Sequence, residues 1–182
     1  MTSSVPGVKH KNSLFEVSSP NIHDAIVYLD SLAPEPHKGL PQELFYFVSR
    51  MTPMVNVDLL VKDEKGRVLL AWRNDSFAGS AWHLPGGIVR YKEKFEERLL
   101  KVAQSELGTA VEFDAQPLSI HQVLCGHKTR GHFISVLFNC HLSAEFVPEN
   151  KGLSSNDAGF LQWHDLCPAN LVKVHEMYRD YL

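Results

Sequence analysis

The sequence predicts an α/β domain preceded by a helical extension. Three stretches carry that reading. Residues 54–61 run Met-Val-Asn-Val-Asp-Leu-Leu-Val, a β-rich string. Residues 95–107 place Phe95, Leu99, Val102, Ala103 and Leu107 on one side of a helix drawn at 100° per residue. Residues 110–123 and 132–142 are two further apolar-rich runs around a turn bounded by Gly126 and Gly131. Strands on both sides of a central helix exclude an all-helical or an all-β chain.

Taken in order, residues 1–20 read as a weakly ordered or strand-like lead. Ile22, Ala25, Ile26, Leu29 and Leu32 follow helical spacing, so residues 22–32 are expected to form a helix with one buried face. Pro34, Pro36, Gly39 and Pro41 mark a linker, and a second helix is expected over residues 42–50. We divide the chain on this basis into an extension, residues 1–38, and a main domain, residues 39–182. The run at 54–61 and a returning strand at 67–73 then read as a hairpin around the turn Asp63–Gly66. After the helix, Gly108 is a good stop. Residues 149–159 are polar and turn-rich, residues 160–163 form a short strand, and residues 169–181 form an amphipathic last helix.

The totals narrow the function. The chain has 182 residues and a formal net charge of −3, with a pI near 6.3. No basic surface for a nucleic-acid polymer is implied. No apolar run of signal or membrane length occurs, so a cytoplasmic location without membrane attachment is expected. Cys125, Cys140 and Cys167 lack metal-type spacing and read as free thiols.

Glu106 is the residue that most needs a functional reason. It falls inside the apolar stripe of its helix, where a carboxylate is costly unless neutralised. It also sits in the last turn, where the helix dipole disfavours negative charge. Either the helix end frays and Glu106 reaches water, or it ligates a hard cation, since Mg²⁺ takes carboxylate, carbonyl and water oxygens. Gly86, in Leu84-Pro85-Gly86-Gly87, is either a tight turn or a place where a bare carbonyl meets a metal. Arg73 is either a strand-end surface residue or a bidentate ligand of a diphosphate. Glu93 pairs with Lys101 or is solvated. His127, Lys128, Arg130 and His132 form a solvated hairpin tip or a rim that meets a nucleotide.

These residues resemble the Nudix hydrolase family. Its box runs glycine, five residues, glutamate, seven residues, Arg-Glu, an aliphatic, any residue, Glu-Glu, any residue, glycine and an aliphatic. Gly87, Glu93, Glu106 and Gly108 match it, while Lys101, Val102, Ser105 and Thr109 replace an arginine, two glutamates and an aliphatic. Loss of those two glutamates is similar to the GDP-mannose mannosyl hydrolase branch, as are residues 52–58 and 69–74. The resemblance covers about residues 40–182 and implies a mixed β-sheet sandwiched between α-helices.

It also implies a site. Mg²⁺, with Mn²⁺ as a substitute, would sit on Glu106, Asp157 and the Gly86 carbonyl. Arg73 and Lys101 would bind the diphosphate and share its charge, and Asp58 would orient Arg73. The catalytic set is then Glu106, Arg73, Lys101 and Asp157. The partner is a small nucleoside diphosphate derivative such as GDP-mannose, attacked at the sugar carbon by a homodimeric enzyme. Two departures stand out: Ser76 occupies the place of the branch's second arginine, and Ala158 that of its histidine base. An ordinary pyrophosphatase attacking phosphorus and a nucleotide-binding module that has lost catalysis are the alternatives.

Overall fold

The computed structural model describes residues 21–76 and 79–182; the lead expected over residues 1–20 lies outside them. The chain divides into two compact units, Met1–Pro34 and Glu35–Leu182. In the first, α1 (Ile22–Ser31) begins at Asn21, whose side chain caps it by accepting the His23 N–H.

The second unit holds α2 (Gln42–Ser49), strands β1 (Met54–Val61), β2 (Val68–Asp75), β3 (Gly79–His83) and β4 (Gly86–Ile88), and then α3 (Phe95–Val102). Strands β5 (Glu112–Phe113), β6 (Ser119–Leu124), β7 (His132–His141) and β8 (Leu161–His164) follow, and a 3₁₀ helix spans Lys173–Tyr181. Among the described residues the strands form a mixed five-stranded sheet, ordered β4-β1-β7-β5 with β6 also on β7, and a three-stranded sheet, β3-β2-β8. β1 is the centre of the larger sheet. It runs parallel to β7 along its full length and antiparallel to β4, where Asp58 faces Gly86. The α/β architecture, a mixed sheet with helices, is the one expected.

Alternation along β1 serves two cores. Val57, Leu59 and Val61 pack with Leu69, Leu99, Val102, Ala103 and Leu107 on one side. Leu60 packs with Val68, Leu70, Trp82, Leu84, Leu137 and Tyr178 on the other.

Four expectations need correction. The helix α1 forms, but the face expected to be buried is not: none of its residues is buried, and Ile22 and Ile26 are exposed. β1 and β2 are not a hairpin: the turn forms, held by the Asp63 carboxylate on the N–H groups of Lys65 and Arg67, but the strands diverge into different sheets. The last helix starts at Lys173, because the segment before it pairs with β3 through Trp82 and Leu171. The central helix changes pitch after Val102. Residues 103–107 form a π turn that Gly108 ends in the left-handed region at φ 71°.

Candidate active site

Glu106 lies in that π turn. Its side chain is 31% exposed, and it faces a cleft of about 710 Å³ whose wall includes Trp72, Arg73, Asp75, His83, Thr109 and Gly159. Its stripe-mates Val102, Ala103 and Leu107 are all buried. The wide turn adds a residue to the local ring, so Glu106 is swung out of the apolar stripe and into the concavity. Neither fraying into bulk water nor full burial describes it.

Arg73 shares the cleft, where its Nε donates to the Asp75 carboxylate. His83 also lines it, with Nε2 3.8 Å from Glu106 Oε2 and Nδ1 buried without a hydrogen-bond partner. The sequence reading missed His83. Its signal was its place on β3 just before Leu84-Pro85-Gly86-Gly87, on the strand face opposite the buried Trp82 and Leu84.

The other expected residues are placed elsewhere. Asp58 is buried beneath the glycine turn, and its Oδ2 accepts the hydroxyl protons of Ser135 and, at 2.8 Å, Tyr178. Burial pushes its carboxyl pKa up, while those two hydroxyls and His83 pull it down; the net shift is upward. Where a pairing of Asp58 with Arg73 was expected, the Asp58 carboxylate takes Ser135 and Tyr178, and the Arg73 Nε takes Asp75. Gly86 packs on this carboxylate: a Cβ there would collide with Asp58 Oδ1 and lie 2.9 Å from the Val57 carbonyl oxygen. That contact alone requires glycine.

Lys101 donates to Glu93 at 2.8 Å rather than facing the cleft. Glu93 also holds the Arg98 guanidinium and the Arg90 N–H. Its side chain is only 3% exposed. Burial alone pushes its pKa up, but hydrogen bonds from Lys101, the Arg90 N–H and Arg98 pull it down to about 2. Glu93 thus ties the glycine loop to α3. Asp157 turns back on its own loop and accepts the N–H and hydroxyl of Ser154, each at 2.7 Å. Its neighbours Ala158 and Gly159 line the cleft instead.

Among the described residues, no three His, Cys, Asp or Glu side chains form a ready metal cage. Asp75, Glu106 and Glu149 line the cleft, with Asp75 engaged by Arg73; a divalent ion on Glu106 would take its remaining ligands from substrate phosphates and water, which is how Mg²⁺ commonly binds.

The fold and this cleft define an α/β scaffold with an acidic group on a helix that follows a glycine turn. The NUDIX domain family model matches residues 52–180, and the chain belongs to the Nudix hydrolase family. Members of that family use divalent metal ions and act on small nucleoside diphosphate derivatives. Over 84 residues the chain is 33% identical to low-salt glycan biosynthesis protein Agl8 of Haloferax volcanii. That match takes in 46% of this chain and 53% of the relative, so the chain spans about half the length of that curated protein. Two solved structures share the fold. A MutT NUDIX hydrolase from Burkholderia pseudomallei is 23% identical, with TM-score 0.57 over 72% of this chain and 98% of its own. A mutT/nudix family protein from Listeria innocua is 20% identical, with TM-score 0.54 over 71% and 92%. No helix among the described residues is long and apolar enough to cross a membrane.

Proposed function

We infer that this chain hydrolyses a nucleoside diphosphate linked to a sugar, with Mg²⁺ as its cation. The observation that carries the reading is the Glu106 carboxylate in a cleft shared with Arg73 and His83. The similarity to a glycan biosynthesis protein supports a sugar-bearing substrate. The thinned box supports attack at the sugar carbon, because ordinary attack at phosphorus relies on more helix carboxylates than Glu106 alone.

A divalent ion held by Glu106 would neutralise the diphosphate and favour its departure. The protein's own groups do the rest. Arg73 places a planar guanidinium against the diphosphate oxygens, exchanging its Asp75 contact for a substrate one. Water then bonds through oxygen to the anomeric carbon, with inversion. The carbon–oxygen bond to the diphosphate breaks, and the nucleoside diphosphate leaves with the electron pair. His83, which lines the cleft, would take the water proton, in the role that Ala158 cannot fill. Lys101 and Asp157 are not assigned roles at the cleft, because Glu93 and Ser154 engage them.

Hydrolysis of GDP-, UDP- and ADP-linked sugars in ¹⁸O water with Mg²⁺ tests this. Label in the free sugar supports attack at carbon. Label in phosphate makes the chain a pyrophosphatase, and tight binding without turnover makes it a binding module. A homodimer belongs to the same reading, and a solution mass at two concentrations checks it.

A further inference from the structure

The glycine turn is held from behind by the end of the chain. The Trp82 N–H donates to the Asn170 carbonyl at 3.0 Å, and the Val172 N–H donates to the Trp82 carbonyl at 2.8 Å. Two residues on, the Leu84 N–H donates to His175 Nδ1 at 3.2 Å. Tyr178, fully buried, donates its hydroxyl to Asp58, the carboxylate on which Gly86 rests. Residues 170–178 therefore follow residues 82–86 contact by contact. They run along the outer edge of β3, and the His175 ring lies 6.3 Å, centroid to centroid, from that of His83, which lines the cleft.

The fixed protonation of this strap follows from the contacts. Accepting the Leu84 N–H at Nδ1 makes His175 a neutral imidazole with its proton on Nε2, which lies 3.8 Å from Asp58 Oδ1. Helix propensity does not explain two ring residues reaching polar atoms 91 and 120 positions away in the chain.

We propose that His175 and Tyr178 are positioning residues, and that the C-terminal segment sets the geometry of the Leu84–Gly87 turn and of His83. The proposal rests on the cleft being the hydrolytic site. It places the strap behind groups whose displacement by about 1 Å costs on the order of a hundredfold in rate, and loss of such supporting contacts typically costs about 10- to 100-fold.

Four variants of the full chain test it: Tyr178→Phe, His175→Phe, His175→Gln and, as a control on the same helix, Tyr181→Phe. The Leu84 amide is followed by NMR hydrogen exchange, and kcat and KM are measured with GDP-mannose and Mg²⁺. In His175→Phe the Leu84 amide should exchange at least about tenfold faster, and His175→Gln, which restores an acceptor, should return it towards wild type. Tyr178→Phe should lower kcat about tenfold with KM within about twofold, and Tyr181→Phe should change neither. Wild-type Leu84 exchange in His175→Phe, or wild-type kcat in Tyr178→Phe, overturns the strap. If the wild-type protein turns over no nucleotide sugar, the functional reading fails, while the Leu84 exchange still decides the strap.

Discussion

At the scale of single residues, the most informative positions are those where a side chain contradicts its surroundings. Glu106 was legible because a carboxylate stood in an apolar stripe, and the π turn shows how the contradiction is resolved. Gly86 was legible as a turn, but not as a rest for Asp58, since that contact depends on strand pairing. Gly86→Ala is expected to lower stability by about 1–3 kcal/mol, because both neighbouring atoms are polar groups of β1 with little room to shift. A urea denaturation midpoint checks it, and an unchanged midpoint would show that β1 and β4 can separate at no cost. His83→Gln is expected to lower kcat about 10²- to 10⁴-fold with the fold intact, as for loss of a general base. Steady-state kinetics beside a circular dichroism spectrum test that, and a kcat near wild type would remove His83 from the chemistry.

At the scale of elements, helix periodicity locates α2 and the start of α3 but not the burial of α1 or the start of the last helix, and strand pairing is not legible in it. α2 and the start of α3 fall where the apolar spacing puts them. The β1–β2 hairpin was misread because a local pattern shows that two strands follow one another, not that their edges part into two sheets. The family resemblance gives Lys101 to the substrate, whereas the pairing with Glu93 that the residues themselves allow is the one the structure forms. Glu93 now makes a definite expectation for α3. Its pKa is depressed from the ordinary 4.5 to about 2, so its contribution is present above pH 4.5 and is lost as pH falls towards 2. Glu93→Gln should remove that part of the acid sensitivity, and thermal melts between pH 5 and about pH 2.5 measure it. Identical slopes in both proteins would mean that the loop does not depend on this carboxylate.

At the scale of the whole molecule, the larger sheet brings together residues that no window of sequence joins. Ser135, Tyr178 and Gly86 meet Asp58 only because β1 lies between β4 and β7. This long-range cluster carries its own pH signature. Burial pushes the His175 pKa down to about 3, with repulsion from His83 and Arg73 adding to it. The unfolded chain binds that proton below about pH 6.5 and the folded chain does not, so stability falls as pH drops from 6.5 towards 3. The slope is up to about 1.4 kcal/mol per pH unit, and His175→Gln should flatten it above pH 5. Denaturant unfolding from pH 7 to pH 5 decides, and equal slopes would place a charged imidazole in the core. Turnover of a nucleoside diphosphate sugar by the wild-type chain and by Glu106→Gln, with and without Mg²⁺, bears most directly on the cleft itself. Metal-dependent release of free sugar that Glu106→Gln loses is the expected result; an unchanged rate in that variant would contradict the assignment of this cleft as the active site.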